Sequence, residues 1–402
     1  MQQDYCKLLM VTSGNNNKFY EMVYTGGANF TVNYGRVEST STSKSYPYSK
    51  WNSLKREKIA KGYKDVTELV ATTVVDDPVT DTQPIIGDTV SRKVAEFLKL
   101  MQSYRDNLVR KTYSVKATQV TQHQLEAAQK LINELSVLNR LDTLTINKKL
   151  IEIYTVIPRY MGRVGDYLLP NINLDKVFEQ EQDNLDAIAS QVALLSKKPA
   201  TQAEVTLQQS LLDMLGIEME ETEDYADIQY LLDQNFSSGY HGRSGKVHAV
   251  FSVKKTREDE AFNQWMSSQE NRQTRTLIHG TRCTSVLPIL EQGLKIRPTG
   301  NFQFSGKAYG DGNYFSETMA KSLGYTGYDS DKVILVYEVH VGNPFKYEGW
   351  FRGNEFALTY KNLKERGFDS TFVSAGNGLL NSEIIAYNES QCHIKKVIWL
   401  KS

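Results

Sequence analysis

Cysteine is scarce in this chain. Cys6, Cys283 and Cys392 are the three in 402 residues, and they form no C-x-x-C pair. That spacing excludes a zinc finger of the usual kind and any disulfide framework, and it fits a reducing compartment. Net charge is also missing, with 47 Lys and Arg against 47 Asp and Glu. No global field therefore draws the chain to nucleic acid or membrane, and only local patches can do so. No apolar run is long enough to span a bilayer, and Met1-Gln2-Gln3-Asp4 lacks the basic and apolar regions of a signal peptide. A soluble intracellular protein with no membrane partner and no bound metal is expected.

At this length about two to four units are expected, each burying its own core. Residues 1–75 read as a small strand-rich domain. The β-favouring runs Phe19 to Tyr24 and Phe30 to Tyr34 flank Gly26-Gly27, and a helical stretch from Tyr48 to Ala60 carries Trp51 and Leu54. Between Lys44 and Lys64 lie Lys44, Lys50, Lys55, Arg56, Lys58, Lys61 and Lys64 against a single Glu57. Phosphate is the obvious counter-charge for that excess, and a solvated helix face is the alternative. Periodicity lapses from Ala71 to Gln83, which reads as a linker closing on Pro84.

From 85 to 235 the pattern is helical. Val90, Val94, Phe97, Leu98 and Met101 make one stripe, and Leu125, Ala128, Ile132, Leu135 and Leu138 make another. Thr121 with Gln124, and Thr201 with Glu204, are capping-box pairs, and Gly216 marks a helix end. Leu150 to Ile157 runs helically into Pro158, and Asn173 precedes a long run through Val192. No cluster of ligand-type residues sits on these stripes, so the bundle reads as structural or regulatory.

Residues 236–402 return to strands at Lys246 to Val253, Arg275 to Ile278, Lys332 to Val341, Phe368 to Val373, Glu383 to Tyr387 and Lys396 to Leu400. Only short helices such as Phe356 to Glu365 intervene, so an α+β, antiparallel two-sheet domain is expected, not alternating βαβ. Gly310-Asp311-Gly312 lacks the third glycine and the long helix of a Rossmann dinucleotide site.

The chain is organised around Thr276 to Tyr325. Thr276-Leu277-Ile278-His279-Gly280 is an apolar strand delivering a histidine to a glycine, where a missing Cβ lets a ligand approach the main chain. Gly310-Asp311-Gly312-Asn313-Tyr314-Phe315 is a turn into a short aromatic strand. Ser316 then serves as N-cap to a helical run through Met319, Ala320 and Lys321, and Gly324 stops it. Tyr314 and Tyr325 would so face a flat heterocycle across a gap, with the Ser322 hydroxyl at hand. Farther on, Glu383 shares a strand face with Ile385 and Tyr387, a costly place for a carboxylate unless it accepts hydrogen bonds such as those of sugar hydroxyls.

His279-Gly280, Tyr314-Phe315, Lys321-Ser322 before Tyr325, and Glu383 together resemble the His-Tyr-Glu signature of the poly(ADP-ribose) polymerase family. The resemblance implies NAD as a consumed co-substrate, with nicotinamide released. Gly280 and Ser322 would hold its carboxamide, Tyr314 and Tyr325 its ring, and His279 its ribose hydroxyls. Lys321 would belong to the same pocket, Thr281, Arg282 and Lys295 to the adenosine half, and the loop Asn301 to Ala308 to its lining. The catalytic set would be Glu383, His279 and Tyr314, with Glu383 permitting chain elongation. Tyr34-Gly35-Arg36-Val37 and the basic helix resemble the WGR module of DNA-break-activated members, with Tyr34 in place of Trp. Contacts to DNA ends or nicks would then involve Tyr34, Arg36, Lys50, Lys55, Arg56 and Lys58. Gln124 to Leu138 and Tyr154 to Arg159 resemble the family's helical regulatory domain, which implies autoinhibition relieved by local unfolding. Three readings follow: a polymerase stimulated by DNA breaks and modifying proteins including itself, a mono-ADP-ribosyltransferase acting on protein or nucleic-acid ends, or a silent DNA-end-binding scaffold. The expected compartment is the nucleus in a eukaryote and the cytoplasm in a bacterium.

Overall fold

The computed structural model describes residues 4–37, 39–69, 91–197, 211–223, 228–229, 246–297, 308–348, 358–376 and 379–401. The linker 71–83, Val90, the Thr201/Glu204 pair and nearly all of the loop 301–308 lie outside them. The chain divides into two compact units, one comprising 1–81 and 107–196, the other 82–106, 197–299 and 303–402.

The first unit opens with β1 (Asp4–Thr12), β2 (Asn16–Tyr24), β3 (Asn29–Arg36) and β4 (Thr42–Pro47), then α1 (Trp51–Ala60) and β5 (Lys64–Asp65). They form an antiparallel sheet in the order β4-β3-β2-β1-β5. Strand alternation turns Cys6, Leu8, Tyr20, Met22, Phe30 and Val32 to one face, where Trp51 covers them. Gly26 and Gly27 between β2 and β3 have φ of 109° and 96°, the left-handed region where a Cβ is penalised. The helical stretch expected from Tyr48 begins with one 3-10 turn, Tyr48–Lys50, and becomes α-helical at Trp51.

Four long helices follow: α2 (Arg92–Thr112), α3 (Gln122–Ser136), α4 (Thr143–Val156) and α5 (Leu174–Ser196). At the start of α3 the Thr121 hydroxyl accepts from the Gln124 amide at 3.1 Å, while the Gln124 side chain accepts from the Thr121 amide at 3.1 Å. Asn173 caps α5 by accepting from the Lys176 amide at 3.1 Å. Inside this unit Arg159 donates to both oxygens of Glu181 at 2.8 Å, both residues being buried. Its guanidinium lies 4.7 Å from the Tyr154 ring centre.

The expected helical block 85–235 spans both units. The division falls inside α2 after Asp106. In the second unit Phe97 packs 5.2 Å from Phe251 and 5.7 Å from Trp399, and Tyr104 donates to Asp331 at 3.1 Å. Residues 211–221 also leave the helical block. After α6 (Leu211–Leu215), Gly216 turns at φ 68° into β6 (Glu218–Glu221), an edge strand on the sheet of the second unit.

That unit continues with β7 (Lys246–Lys254), α7 (Thr256–Ser267), β8 (Thr274–Thr281), α8 (Cys283–Gln292), β9 (Asn313–Phe315), α9 (Met319–Leu323), β10 (Asp331–His340), β11 (Pro344–Glu348), α10 (Tyr360–Lys364), β12 (Ser370–Ser374), β13 (Glu383–Ala386) and β14 (Cys392–Lys401). One sheet runs β6-β7-β14-β10-β8 and the other β11-β12-β13-β9. The architecture is mixed α+β with antiparallel sheets, apart from the parallel pair β11 and β12. A parallel pair needs a crossover rather than a hairpin, and the segment bearing α10 supplies it. Among the described residues no helix is long and apolar enough to cross a membrane.

Candidate active site

Strands β8 and β9 are edge strands of different sheets, and one bridge stitches them together. The Ile278 amide donates to the Ser316 carbonyl and the Ser316 amide to the Ile278 carbonyl, each at 2.9 Å. Ile278 thus spends both main-chain groups on the side away from β10, the strand with which β8 is otherwise paired. Two residues on, the strand period turns the N–H and C=O of Gly280 to the same side, toward the seam.

Gly280 is irreplaceable on steric grounds. A Cβ there would lie 1.8 Å from the Ser322 carbonyl oxygen. The close approach seats α9 directly on β8, and the Ser322 hydroxyl donates to the Ile278 carbonyl at 3.2 Å. The cap differs from expectation: Thr318 occupies the N-cap position of α9. Ser316 stays extended because of the bridge, and its hydroxyl accepts from the Thr318 amide at 3.0 Å, tightening the turn before the helix.

His279 Nδ1 lies 2.9 Å from the Tyr314 carbonyl oxygen. A carbonyl only accepts, so Nδ1 carries the hydrogen and the neutral ring has its lone pair on Nε2. The Tyr314 hydroxyl accepts from the Tyr309 amide at 2.7 Å and donates to the Gly310 carbonyl at 2.9 Å, which fixes the ring. Burial raises the Tyr314 pKa strongly, and the Tyr387 and Glu383 groups add to the rise.

Glu383 opens β13, where the register pairs Ile385 with Tyr314 and Val373 with Glu383. Glu383, Ile385 and Tyr314 therefore share one sheet face. The carboxylate is buried and lies 2.7 Å from Lys321 Nζ, which also donates to the Asn381 carbonyl at 3.1 Å. Burial lowers the Lys321 pKa below the ordinary lysine value, with Glu383 opposing the fall. Tyr325 follows α9 and is 39% exposed. Burial around its hydroxyl pushes its pKa up to about 12, and the Glu383 charge contributes.

The structure thus brings His279, Gly280, Tyr314, Lys321, Ser322, Tyr325 and Glu383 to one seam. The ion pair between Lys321 and Glu383 had no signal in composition or spacing, since 62 positions separate the two. Thr281 is buried at the end of β8. Lys295 is engaged elsewhere, 2.8 Å from Glu389, which also accepts from the Ile296 amide at 3.0 Å.

The residues expected to meet nucleic acid are placed in the first unit, and several are already in use there. Arg36 donates to the Asn15 carbonyl at 2.9 Å and to the Gly162 carbonyl. Lys55 pairs with Asp65 at 2.6 Å, and Lys58 lies 4.5 Å from the Tyr20 ring centre. Tyr34 is half-buried against Tyr20, with ring centres 5.9 Å apart. Lys50 and Arg56 are exposed.

A mixed α+β fold whose two sheets meet at a seam holding a histidine, two tyrosines and a buried glutamate fits the class of NAD-consuming ADP-ribosyltransferases. Comparison with known proteins agrees. Residues 222–349 match the poly(ADP-ribose) polymerase catalytic domain. The putative poly [ADP-ribose] polymerase-like 100L of Invertebrate iridescent virus 6 is 50% identical over 177 residues, covering 44% of this chain and 94% of that protein. The uncharacterized protein 101L of the same virus is 42% identical over 189 residues, 47% of this chain and 77% of that protein. Poly [ADP-ribose] polymerase 1 of Gallus gallus is 25% identical over 278 residues, 62% of this chain but only 27% of that longer protein. The chain belongs to the poly(ADP-ribose) polymerase family, and it is an NAD+ ADP-ribosyltransferase.

Proposed function

We propose that the chain transfers ADP-ribose repeatedly, to protein acceptors and then to the growing chain, and that DNA breaks stimulate it. The observation that carries the catalytic part is the placement of the buried Glu383 carboxylate on the same sheet face as Tyr314, whose carbonyl orients His279. Gly280 would present its N–H and C=O to the nicotinamide carboxamide, Ser322 would add a hydroxyl contact, and Tyr314 and Tyr325 would flank the ring. With its lone pair on Nε2, His279 is suited to accept from a ribose hydroxyl. Lys295 would have to leave Glu389 to reach the adenosine half.

Cleavage of the bond between nicotinamide and ribose C1′ leaves nicotinamide with the bonding electrons and positive character on the ribose. A carboxylate beside that sugar stabilises the charge. The incoming hydroxyl oxygen forms the new bond to C1′ and passes its proton to Glu383 as general base. Lys321, 2.7 Å away, holds the carboxylate in place until then. When the acceptor is a ribose hydroxyl of ADP-ribose already attached, the chain grows.

The resemblance of Tyr34-Gly35-Arg36-Val37 and the basic helix, within residues 1–75, to a WGR module supports DNA stimulation, as do the exposed Lys50 and Arg56 on α1 and the turn before it. The helical region 85–235 would be the regulatory part. The test is nicotinamide release with and without nicked DNA, with products sized by electrophoresis. Wild type should release more nicotinamide with DNA and make long products, while Glu383→Gln should lose elongation. Undiminished polymer from Glu383→Gln would remove the assigned role. Nicotinamide release that ignores DNA would remove the stimulation and leave the transfer.

A further inference from the structure

The segment from Pro158 to Asn171 in the first unit is an irregular loop held as firmly as a strand. The Ser114 amide donates to the Pro158 carbonyl and the Tyr160 amide to the Thr112 carbonyl, each at 3.0 Å. The Val164 amide donates to Asn15 Oδ1 at 3.1 Å, and Arg36 donates to the Gly162 carbonyl. Tyr154 donates to the Tyr167 carbonyl at 3.1 Å, and Asn171 to the Gly165 carbonyl at 3.1 Å. Despite this fixation the loop leaves Tyr160 44% and Tyr167 37% exposed. Both tyrosines line a hollow of about 570 Å³ together with Lys111, Arg163 and Asp166. Lys111 and Arg163 are exposed, and neither is held in an ion pair among the described residues.

Aromatic rings on a fixed backbone, left open to solvent beside uncommitted cations, are what a phosphorylated heterocycle requires: a face to stack on and donors for its phosphates. The remaining group, Asp166, discriminates. A carboxylate in the hollow accepts hydrogen bonds from the vicinal hydroxyls of a ribose, which DNA lacks. We propose that this hollow is a second site for an ADP-ribosyl unit, separate from the catalytic seam. Tyr160 or Tyr167 stacks on the adenine, Lys111 and Arg163 hold the diphosphate, and Asp166 takes the ribose hydroxyls. The unit can be free ADP-ribose or one link of a chain, and the ligand's identity rests on the ADP-ribosyl transfer described above. Held there, product would remain on the enzyme through the first unit.

Photo-crosslinking of the full chain with 8-azido-ADP-ribose, followed by peptide mapping, tests the assignment. Label is expected on Tyr160 or Tyr167, falling at least about tenfold in the double variant Lys111→Glu/Arg163→Glu. Label among residues 246–401 should be unchanged in that variant and reports on the catalytic reading separately. All three charged groups are on the surface, so the variants should fold, as an unchanged urea unfolding midpoint would verify. Competition by unlabelled ADP-ribose against an equal concentration of ADP-ribose units in polymer distinguishes the two sources. The proposal is overturned by absence of label from 158–171, by label indifferent to charge reversal, or by equal labelling of the same tyrosines with a single-stranded 8-azidodeoxyadenosine oligonucleotide.

Discussion

Replacing Gly280 with alanine tests the geometry of the seam most directly. The added methyl would start 1.8 Å from the Ser322 carbonyl oxygen. An ordinary contact between such atoms needs roughly 3.3 Å, so one partner must retreat by about 1.5 Å. β8 is not free to move, because Gly280 is in register with Ile334 of β10, and β10 also pairs with β14. The five-residue helix α9 must give way instead. It carries Lys321 out of its 2.7 Å contact with Glu383 and Ser322 out of its 3.2 Å bond to Ile278. A displacement of about 1 Å at a reacting centre can cost ~100-fold in rate, equivalent to about 2.7 kcal/mol of transition-state stabilisation. Forced overpacking should cost a further ~1–3 kcal/mol of fold stability. The assay is kcat/KM for nicotinamide release across an NAD titration, with urea unfolding alongside. Gly14→Ala is the control, since its Cβ would meet only the Thr12 hydroxyl at an ordinary 3.6 Å. If Gly280→Ala kept wild-type kcat/KM and stability, α9 would not be seated on β8 as described.

Three further outcomes follow from particular contacts. Because burial lowers the Lys321 pKa below 10.5, kcat/KM should fall on the alkaline side with an apparent pKa below that value. Lys321→Arg should carry this limb out of the accessible range, as a pH profile of nicotinamide release would show. Linkage gives the sign for stability: between the folded and unfolded pKa values of Lys321 the unfolded chain binds more protons, so stability rises with pH across that window. Tyr325→Ala should weaken NAD and benzamide-type inhibitors together by roughly 1–3 kcal/mol if the ring stacks on the base, and calorimetric titration of the inhibitor checks it. Arg159→Met should cost about 3–5 kcal/mol in urea denaturation, because Glu181 would stay buried without its partner. Adding Glu181→Leu should recover much of that loss.

Much of the second unit was legible because its strands are built from β-branched and aromatic runs bounded by turn residues, as in Asp331–His340. Thr121 and Gln124 announced α3 through chemistry confined to four neighbouring residues. What a buried face packs against is not a local property. The stripe Val94, Phe97, Leu98 and Met101 foretold burial, but nothing in α2 itself said that Phe251 and Trp399 would be the partners. For the same reason Glu218–Glu221 read as part of the helical region although β7 recruits it as an edge strand. The basic excess between Lys44 and Lys64 looked available for phosphate, yet Lys55, Lys58 and Lys61 find partners in Asp65, the Tyr20 ring and Glu57. At the seam, the order of His279, Tyr314 and Glu383 along the chain was visible. The reciprocal bonds of Ile278 and Ser316 that bring their strands together were not, because they pair two sheet edges 38 positions apart.

The hydrogen bond from His279 to the Tyr314 carbonyl settles what kind of imidazole this is. In hydrolytic triads a carboxylate behind the ring supports the cation that forms during proton abstraction. Here Nδ1 faces a neutral peptide oxygen, whose position is set by the pairing of β9 with β13 and not by any side chain. At Nδ1 such a histidine lacks that support for a transient positive charge. Its tautomer should outlast any replacement at position 314 that leaves the ladder intact, since a backbone oxygen and not the tyrosine ring sets it.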